Sequence, residues 1–114
     1  MTDKLMVESL STAREFNLKL IHELEKFVDS LERDSVNEAL IVLPDIIEGL
    51  EWIIQVINFT KDVQKETIDV IELNQNLSEM SDALENEDYV LLADITNYEI
   101  IEKLKQWQQI NFSH

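Results

Sequence analysis

The sequence has no cysteine, and its 114 residues include one glycine and one proline. Without cysteine the chain can form no disulfide, no zinc knuckle and no thiol nucleophile. Glycine and proline form most tight turns, which β-sandwiches and β-barrels need in large numbers. Their scarcity argues against these all-β classes and favours a single domain, residues 1–114, with few turns.

Basic side chains are scarce too, since 9 Lys and Arg residues stand against 24 Asp and Glu residues, for a formal net charge of −15. Contacts to phosphates need Lys and Arg, so the charge argues against a nucleic-acid partner and against docking on anionic lipid. The most apolar stretch, residues 39–59, carries Asp45, Glu48 and Glu51, so it does not read as a membrane span. We find no signal-peptide pattern and expect a cytoplasmic protein.

Hydrophobic residues make up 45% of the chain and recur at helical spacing. The first helix is predicted over Lys4 to Glu32. Its apolar seam advances by alternating steps of four and three residues: Met6, Leu10, Ala13, Asn17, Leu20, Leu24, Phe27 and Leu31. Asn17 is the only polar member of this seam. A buried Asn can fix helix register, but the favoured interpretation places Asn17 at a layer edge in contact with water.

The second helix is predicted to begin at Ser35, because residues 35–38 match the S-x-x-E capping box. It carries two apolar seams, so its apolar face covers more than half of its circumference. Pro44 should bend it, and Gly49 should let another helix approach closely. No glycine or proline marks a turn at residues 58–60, so one long helix running through Thr60 is an open alternative.

The third helix is predicted over Lys61 to Leu84 and the fourth over Tyr89 to Ile110. Asn86 is expected to take a left-handed conformation between them, and Asp88 to cap the fourth helix. The fourth helix should bury a stripe that we list as Leu91, Ile95, Tyr98 and Ile101, with Ile100, Leu104 and Trp107 beside it. Short connections place consecutive helices antiparallel, so the predicted fold is an all-α, four-helix, up-down-up-down bundle.

The search for catalytic chemistry is negative. Neither His22 nor His114 belongs to a Glu-x-x-His or H-E-x-x-H motif, and one glycine cannot form a phosphate-binding loop. We therefore predict no enzyme, no catalytic residue, no cofactor and no metal. Carboxylates do recur three residues apart, as in the sets 45/48/51, 66/69/72 and 79/82/85, and solvated acidic faces explain them best. A metal-dependent enzyme that uses these sets is the remaining enzymatic alternative.

Charge is distributed unevenly along the chain. No basic residue lies between Lys65 and Lys103, a span with eleven acids: Glu66, Asp69, Glu72, Glu79, Asp82, Glu85, Glu87, Asp88, Asp94, Glu99 and Glu102. Such a field steers cationic partners towards the protein. It also keeps a small domain soluble, and the sequence leaves both interpretations open.

Apolar surface on the second helix exceeds what a bundle core needs, and a bend, a second copy or a client protein could cover it; a second copy is the simplest of these explanations. Trp52 is either an interface anchor or, as we favour, covered by a neighbouring helix. The first functional hypothesis is a non-enzymatic interaction domain that binds a partner helix or itself as a homodimer. Its predicted contact residues are Ile47, Leu50, Trp52 and Ile54. The second is an acidic inhibitor or immunity-type protein that masks a cationic surface with Glu66, Asp69 and Glu72.

Two segments carry a family resemblance: residues 83–94, followed by Tyr98-Glu99 and Trp107, and the shorter patch at residues 49–54. They resemble short, uncharacterised, acidic helical proteins of Gram-positive bacteria over the last two-thirds of the chain. The resemblance implies a helical domain with no known activity. Many members carry a proline near the last helix, and this sequence has none there. Size, acidity and helix content are similar to those of flagellar and other secretion export chaperones, which implies a small export chaperone or adaptor.

Overall fold

A computed structural model of the protein describes residues 2–110, and within this range the chain forms helices and connections without a strand. The elements are α1 (Thr2–Glu32), α2 (Val36–Phe59), a 3₁₀ turn (Lys61–Val63), α3 (Ile71–Glu85), α4 (Tyr89–Asp94), a π-helical segment (Ile95–Ile101) and α5 (Glu102–Ile110). The last three follow one another without a break, and we call them together the C-terminal helix. The body measures 48 × 22 × 20 Å, and the predicted four-helix bundle is confirmed.

α1 is the central element of the bundle. It packs against α2 on one side and against the C-terminal helix on the other, while α3 packs mainly on the C-terminal helix. The core is continuous, and its largest fully buried side chains are Leu24, Phe27, Leu50, Ile53, Ile57, Leu73, Met80, Leu92, Ile100, Ile101 and Leu104. Burial of these apolar side chains supplies most of the stability of such a bundle.

Asn17 is fully buried in this core, so its favoured placement at a wet layer edge is wrong. Its side-chain amide donates to the carbonyl of Leu104 at 3.0 Å and to Oε1 of Gln108 at 2.9 Å. Its Oδ1 accepts no hydrogen bond from the described part of the chain. The amide therefore ties α1 to α5 in one register.

Both short turns between helices close in the same way. The backbone N–H of Ser35 donates to the Ser30 carbonyl at 2.8 Å, and that of Asp88 to the Ala83 carbonyl at 2.8 Å. These are the long bonds of Schellman motifs, which need a left-handed residue just before the donor. Asp34 (φ 60°) and Glu87 (φ 54°) take that conformation.

The geometry of the two turns tests the two predicted N-caps and the left-handed conformation predicted for Asn86. Asn86 has φ −86°, so the left-handed conformation predicted there belongs to Glu87 instead. The side chain of Ser35 makes no capping bond, so the predicted capping box is wrong. The side chain of Asp88 accepts a hydrogen bond from the N–H of Leu91 at 3.1 Å, so this predicted N-cap is confirmed.

α2 is helical from Val36 to Phe59 and runs through Pro44 without interruption; the bend expected at Pro44 stays a prediction. Its one glycine, Gly49, lies against α1, where a Cβ would approach Cδ1 of Leu20 to 3.1 Å. The expected close approach at Gly49 is therefore confirmed. Among residues 2–110, no helix has both the length and the apolarity needed to cross a membrane.

The connection from α2 to α3 spans residues 60–70; it excludes one open alternative and corrects one prediction. α2 ends at Phe59, so no single helix continues through Thr60, and α3 begins at Ile71 rather than Lys61. Gln64 holds the connection in place, since its side chain donates to the Ile57 carbonyl at 2.7 Å and accepts from the N–H of Ile68 at 3.0 Å. These bonds satisfy backbone groups that a helix would otherwise pair, so a helix is not required here.

The C-terminal helix buries a different face from the predicted stripe. Leu91 is 45% exposed and Tyr98 is 69% exposed, so both were wrongly assigned to the core, whereas Ile95 and Ile101 are buried. Tyr98 lies in the π-helical segment, in which hydrogen bonds join residues five apart and each turn is wider. Residues five apart therefore face the same side, as Ile95 and Ile100 do.

Candidate functional site

The predicted apolar contact residues of α2 do not share one surface. Leu50 is fully buried in the core and has no surface to offer a partner. Ile47 and Ile54 are half-buried on the side of α2 that lies away from α1. Trp52 is half-buried on the opposite side, next to α1, because each residue of an α-helix advances by about 100°. The structure therefore divides the set between two faces.

Trp52 packs against the aromatic ring of Phe16 on α1. The two ring centroids lie 4.7 Å apart, and the ring planes are inclined by 59°. Such tilted pairs are favourable because the ring edge of one residue meets the ring face of the other. The ring of Trp52 is thus partly covered by its neighbour, and what remains exposed forms one wall of a groove.

This groove, which we call the α1/α2 groove, consists of two adjoining cavities of about 200 and about 320 Å³. Gly49 lies at its floor, where Leu20 and Phe16 of α1 pack against the position that a Cβ would take. The residues that line the two cavities are Phe16, Lys19, Leu20, Glu23, Val42, Asp45, Ile46, Gly49, Glu48 and Trp52. Apolar side chains form the floor and walls, and charged side chains form the rim.

The other side of α2 presents a row of half-buried side chains that recur every seven residues, Leu40, Ile47 and Ile54. Val70, which precedes α3, forms a second row with the same spacing together with Leu77 and Leu84 of α3. Both rows pack against the core with one edge and keep the other edge in contact with water.

A polar cleft of about 450 Å³ lies between α3 and the C-terminal helix. Four carboxylates line it, those of Glu72, Glu79, Glu99 and Glu102, and we call it the acidic cleft. Lys103, whose side chain is 14% exposed, pairs with Glu72 at 3.1 Å and donates to Oδ1 of Asn76 at 3.0 Å. One amine does not balance four carboxylates, so the cleft attracts cations.

The three acids predicted to bind a cationic surface, Glu66, Asp69 and Glu72, lie at the start of α3 and in the connection before it. Asp69 accepts a hydrogen bond from the N–H of Ile71 at 2.9 Å, so it helps to begin α3. Of Glu66, Asp69 and Glu72, the last alone lines the acidic cleft. Glu99 lies in the π-helical segment and also lines the cleft, and the five-residue spacing of Ile95 and Ile100 matches the period of that segment.

A further cavity, of about 570 Å³, lies where the two Schellman turns meet at one end of the bundle. Leu31, Val36 and Tyr89 contribute its apolar part. Its acids are Glu32, Asp34, Glu87, Asp88 and Asp94. It therefore extends the negative surface and offers no basic group to an anionic ligand.

Acidic and imidazole side chains do not form a metal centre in the part of the chain that the structure describes, since no three of them converge on one point. His22 is exposed on α1. His114 lies outside the described residues.

A family model described as a domain of unknown function (DUF8042) matches residues 8–110. No curated protein and no solved structure matches the chain. The match covers nearly the whole chain, so the expected membership of an uncharacterised family is confirmed. The family description names no activity, and function has to be argued from the surfaces above.

Proposed function

The chain belongs to this family of unknown function, and we propose that it is a non-enzymatic interaction domain that binds a helical segment of a partner protein. One observation carries the proposal: the apolar α1/α2 groove, with Phe16 and Trp52 as its walls, is open to water. In concrete form the protein is a small cytoplasmic export chaperone or adaptor of a bacterium. The proposal assigns it no catalytic residue, cofactor or metal.

The shape of the groove supports a helix as the bound element. Val42, Gly49 and Trp52 follow one another along the groove side of α2 over ten residues, or about 15 Å of helix. A partner helix recognised in a groove presents apolar anchors one to two turns apart, which is a comparable length.

The test compares two neighbouring residues of α2, one that lines the groove and one that does not. Val42 is 36% exposed and lines the groove, whereas Ile41 is 76% exposed and lies outside its lining. Val42→Glu and Ile41→Glu therefore make the same kind of change on and off the groove. Each variant and the unaltered chain would serve as bait in a lysate of the source cells, with washes at about 500 mM salt, where surface charges are screened.

We expect a partner that survives the high-salt wash on the unaltered chain and on Ile41→Glu, and that is lost on Val42→Glu. Circular dichroism of each bait checks that the helices are intact. The proposal would be contradicted if both variants still captured the partner, or if the unaltered chain captured none.

The acidic cleft favours a second function, an acidic inhibitor or immunity-type protein that masks a cationic surface. Its carboxylates Glu79 and Glu99 are exposed and lie on facing elements. Reversing both to Lys should slow association with a cationic partner, because long-range attraction acts mainly on the association rate. Reversal of Glu38 and Glu51, which are exposed on α2 and do not line the cleft, is the matched control. Equal rates for the two pairs would rule this function out.

A further inference from the structure

Resting on the proposed function, we infer that the α1/α2 groove is the docking site and that its occupant is a basic amphipathic helix of another protein. One bulky apolar side chain of that helix sits in the cavity that Phe16, Leu20 and Val42 line. Lys or Arg side chains on its flank lie beside Asp45 and Glu48.

The need for a bulky apolar anchor follows from what surrounds Gly49. Leu20 and Ile46 are buried beneath the groove, and Phe16 and Trp52 stand half-buried at its side. Beside Gly49, the cavity of about 200 Å³ has Leu20, Val42 and Ile46 in its lining and is open to water. Leu, Ile or Phe of a partner would remove this apolar surface from water, which is how interface anchors contribute affinity.

The need for basic flanks follows from the rim. Glu23, Asp45 and Glu48 line the groove together with one amine, that of Lys19, which leaves a formal charge of −2. Asp45 and Glu48 are exposed and lie one turn apart on α2, so both face a helix laid along the groove. Exposed pairs of this kind contribute little affinity, but they select the partner and fix its orientation.

Charge also argues against a second copy of this chain as the occupant. Each copy carries a formal charge of −15, and the rim of the groove is itself acidic. Two such surfaces repel one another, and a symmetric dimer would bring the same acidic rim against its own copy. A basic helix meets no such penalty.

Synthetic helical peptides of equal length provide the probe. The first carries Leu anchors at helical spacing with Lys flanks, the second the same anchors with Glu flanks, and the third Ala in place of Leu with Lys flanks. Fluorescence anisotropy of labelled peptides gives each dissociation constant. We expect the first peptide to bind at least about tenfold more tightly than either of the others, because both the anchor and the charge contribute.

Matched variants then locate the site. Glu48 lines the groove, and Glu51 is exposed one turn further along α2 and does not line it. Glu48→Lys should weaken the first peptide about fivefold, while Glu51→Lys should leave it within about twofold, since exposed charge pairs have modest energies. Thermal unfolding followed by circular dichroism checks both variants.

The outcomes separate the site from the function. Equal weakening by Glu48→Lys and Glu51→Lys would overturn the assignment to this groove and leave the helix-binding function standing. Tight binding of the Glu-flanked peptide would overturn the basic partner. If neither of the two Leu peptides bound, the proposed function would be overturned as well. Sedimentation that shows a dimer abolished by Val42→Glu would overturn the choice of a foreign helix over a second copy.

Discussion

At the scale of single residues, the amide of Asn17 shows how one polar group can organise a core. It is fully buried, and its two donated hydrogen bonds both reach α5, on Leu104 and Gln108. Its Oδ1 remains without a hydrogen bond from residues 2–110. A buried acceptor without a partner destabilises the folded state, so register between α1 and α5 is fixed at a cost in stability.

Replacing Asn17 by Leu should therefore stabilise the protein. The substitution removes the unpartnered Oδ1 and adds apolar volume inside the seam formed by Ala13, Leu20 and their neighbours. We expect the free energy of unfolding to rise by about 1 kcal/mol, measured by urea denaturation. Asn74→Leu is the control, because Asn74 is exposed on α3 and its replacement should change stability by less than about 0.5 kcal/mol.

A lower free energy of unfolding for Asn17→Leu would mean that the two donated bonds outweigh the unpartnered oxygen. Asn17→Asp distinguishes the cases further. A carboxylate at this position would face the Leu104 carbonyl and the Gln108 Oε1 with acceptors only, and it should destabilise the fold strongly.

The two left-handed residues show how composition constrains turns without fixing their place. One glycine in the sequence, already used inside α2, leaves the Schellman turns to be closed by other residues. Asp34 and Glu87 do so, although a left-handed conformation costs a side chain about 1–2 kcal/mol. The sequence pointed to Asn86 because Asn tolerates this conformation well, but the hydrogen bond from Asp88 to Ala83 selects position 87.

At the scale of helices, periodicity predicted the existence of each element well and its limits less well. Heptad spacing placed Leu73 and Met80 on the buried face of α3. The same spacing extended to Val63 and Thr67, which lie in the connection. In place of a helix, the side chain of Gln64 holds this connection, because it forms hydrogen bonds with the carbonyl of Ile57 before it and the N–H of Ile68 after it. Such contacts depend on tertiary structure and leave no periodic signal.

The candidate site was less predictable than the fold for a related reason. All four apolar contact candidates lie on α2, which forms one side of the α1/α2 groove, but a helix that is apolar on most of its circumference does not reveal which side stays open. Phe16 and Leu20 decide this, because α1 packs against Gly49 and leaves a groove beside Trp52. Those neighbours belong to another helix, so no pattern within α2 could identify them.

The π-helical segment yields a prediction about deletion. A wide turn contains one residue more than an α-helical turn, so deleting one should convert i→i+5 bonds to i→i+4 bonds. Ile95 and Ile100 would then lie four residues apart and still face the core. We expect the chain without Tyr98, which is exposed, to unfold cooperatively with a melting temperature within about 8 °C of the parent, or roughly 1 kcal/mol.

Deletion of Glu51 is the control, because it removes one residue from a regular part of α2. Every residue on one side of the deletion would rotate by about 100° relative to the core, and cooperative unfolding should be lost. Circular dichroism melts compare the two deletions. Loss of cooperative unfolding in both would show that the wide turn is not a single inserted residue.

At the scale of the whole molecule, repulsion among like charges opposes the fold. The formal net charge is −15, and acids crowd both the acidic cleft and the cavity at the end of the bundle. Ion pairs such as Arg33–Asp29 and Lys103–Glu72, both at 3.1 Å, have at least one exposed partner. Each such pair contributes little, so the excess of acids remains largely uncompensated.

Salt should therefore stabilise this protein. Raising NaCl from about 10 mM to about 1 M shortens the screening length from about 30 Å to about 3 Å, which suppresses repulsion across the bundle. We expect the melting temperature to rise by about 5 °C, or roughly 1 kcal/mol, in a calorimetric scan. Neutralising Glu79 and Glu99 to Gln should raise the melting temperature at low salt and reduce its dependence on salt, because both carboxylates line the acidic cleft. A melting temperature that falls as salt is added would mean that attractive ion pairs outweigh the repulsion among acids. The acidic side chains would then stabilise the fold through these pairs, and their charge would be less available to attract a cationic partner.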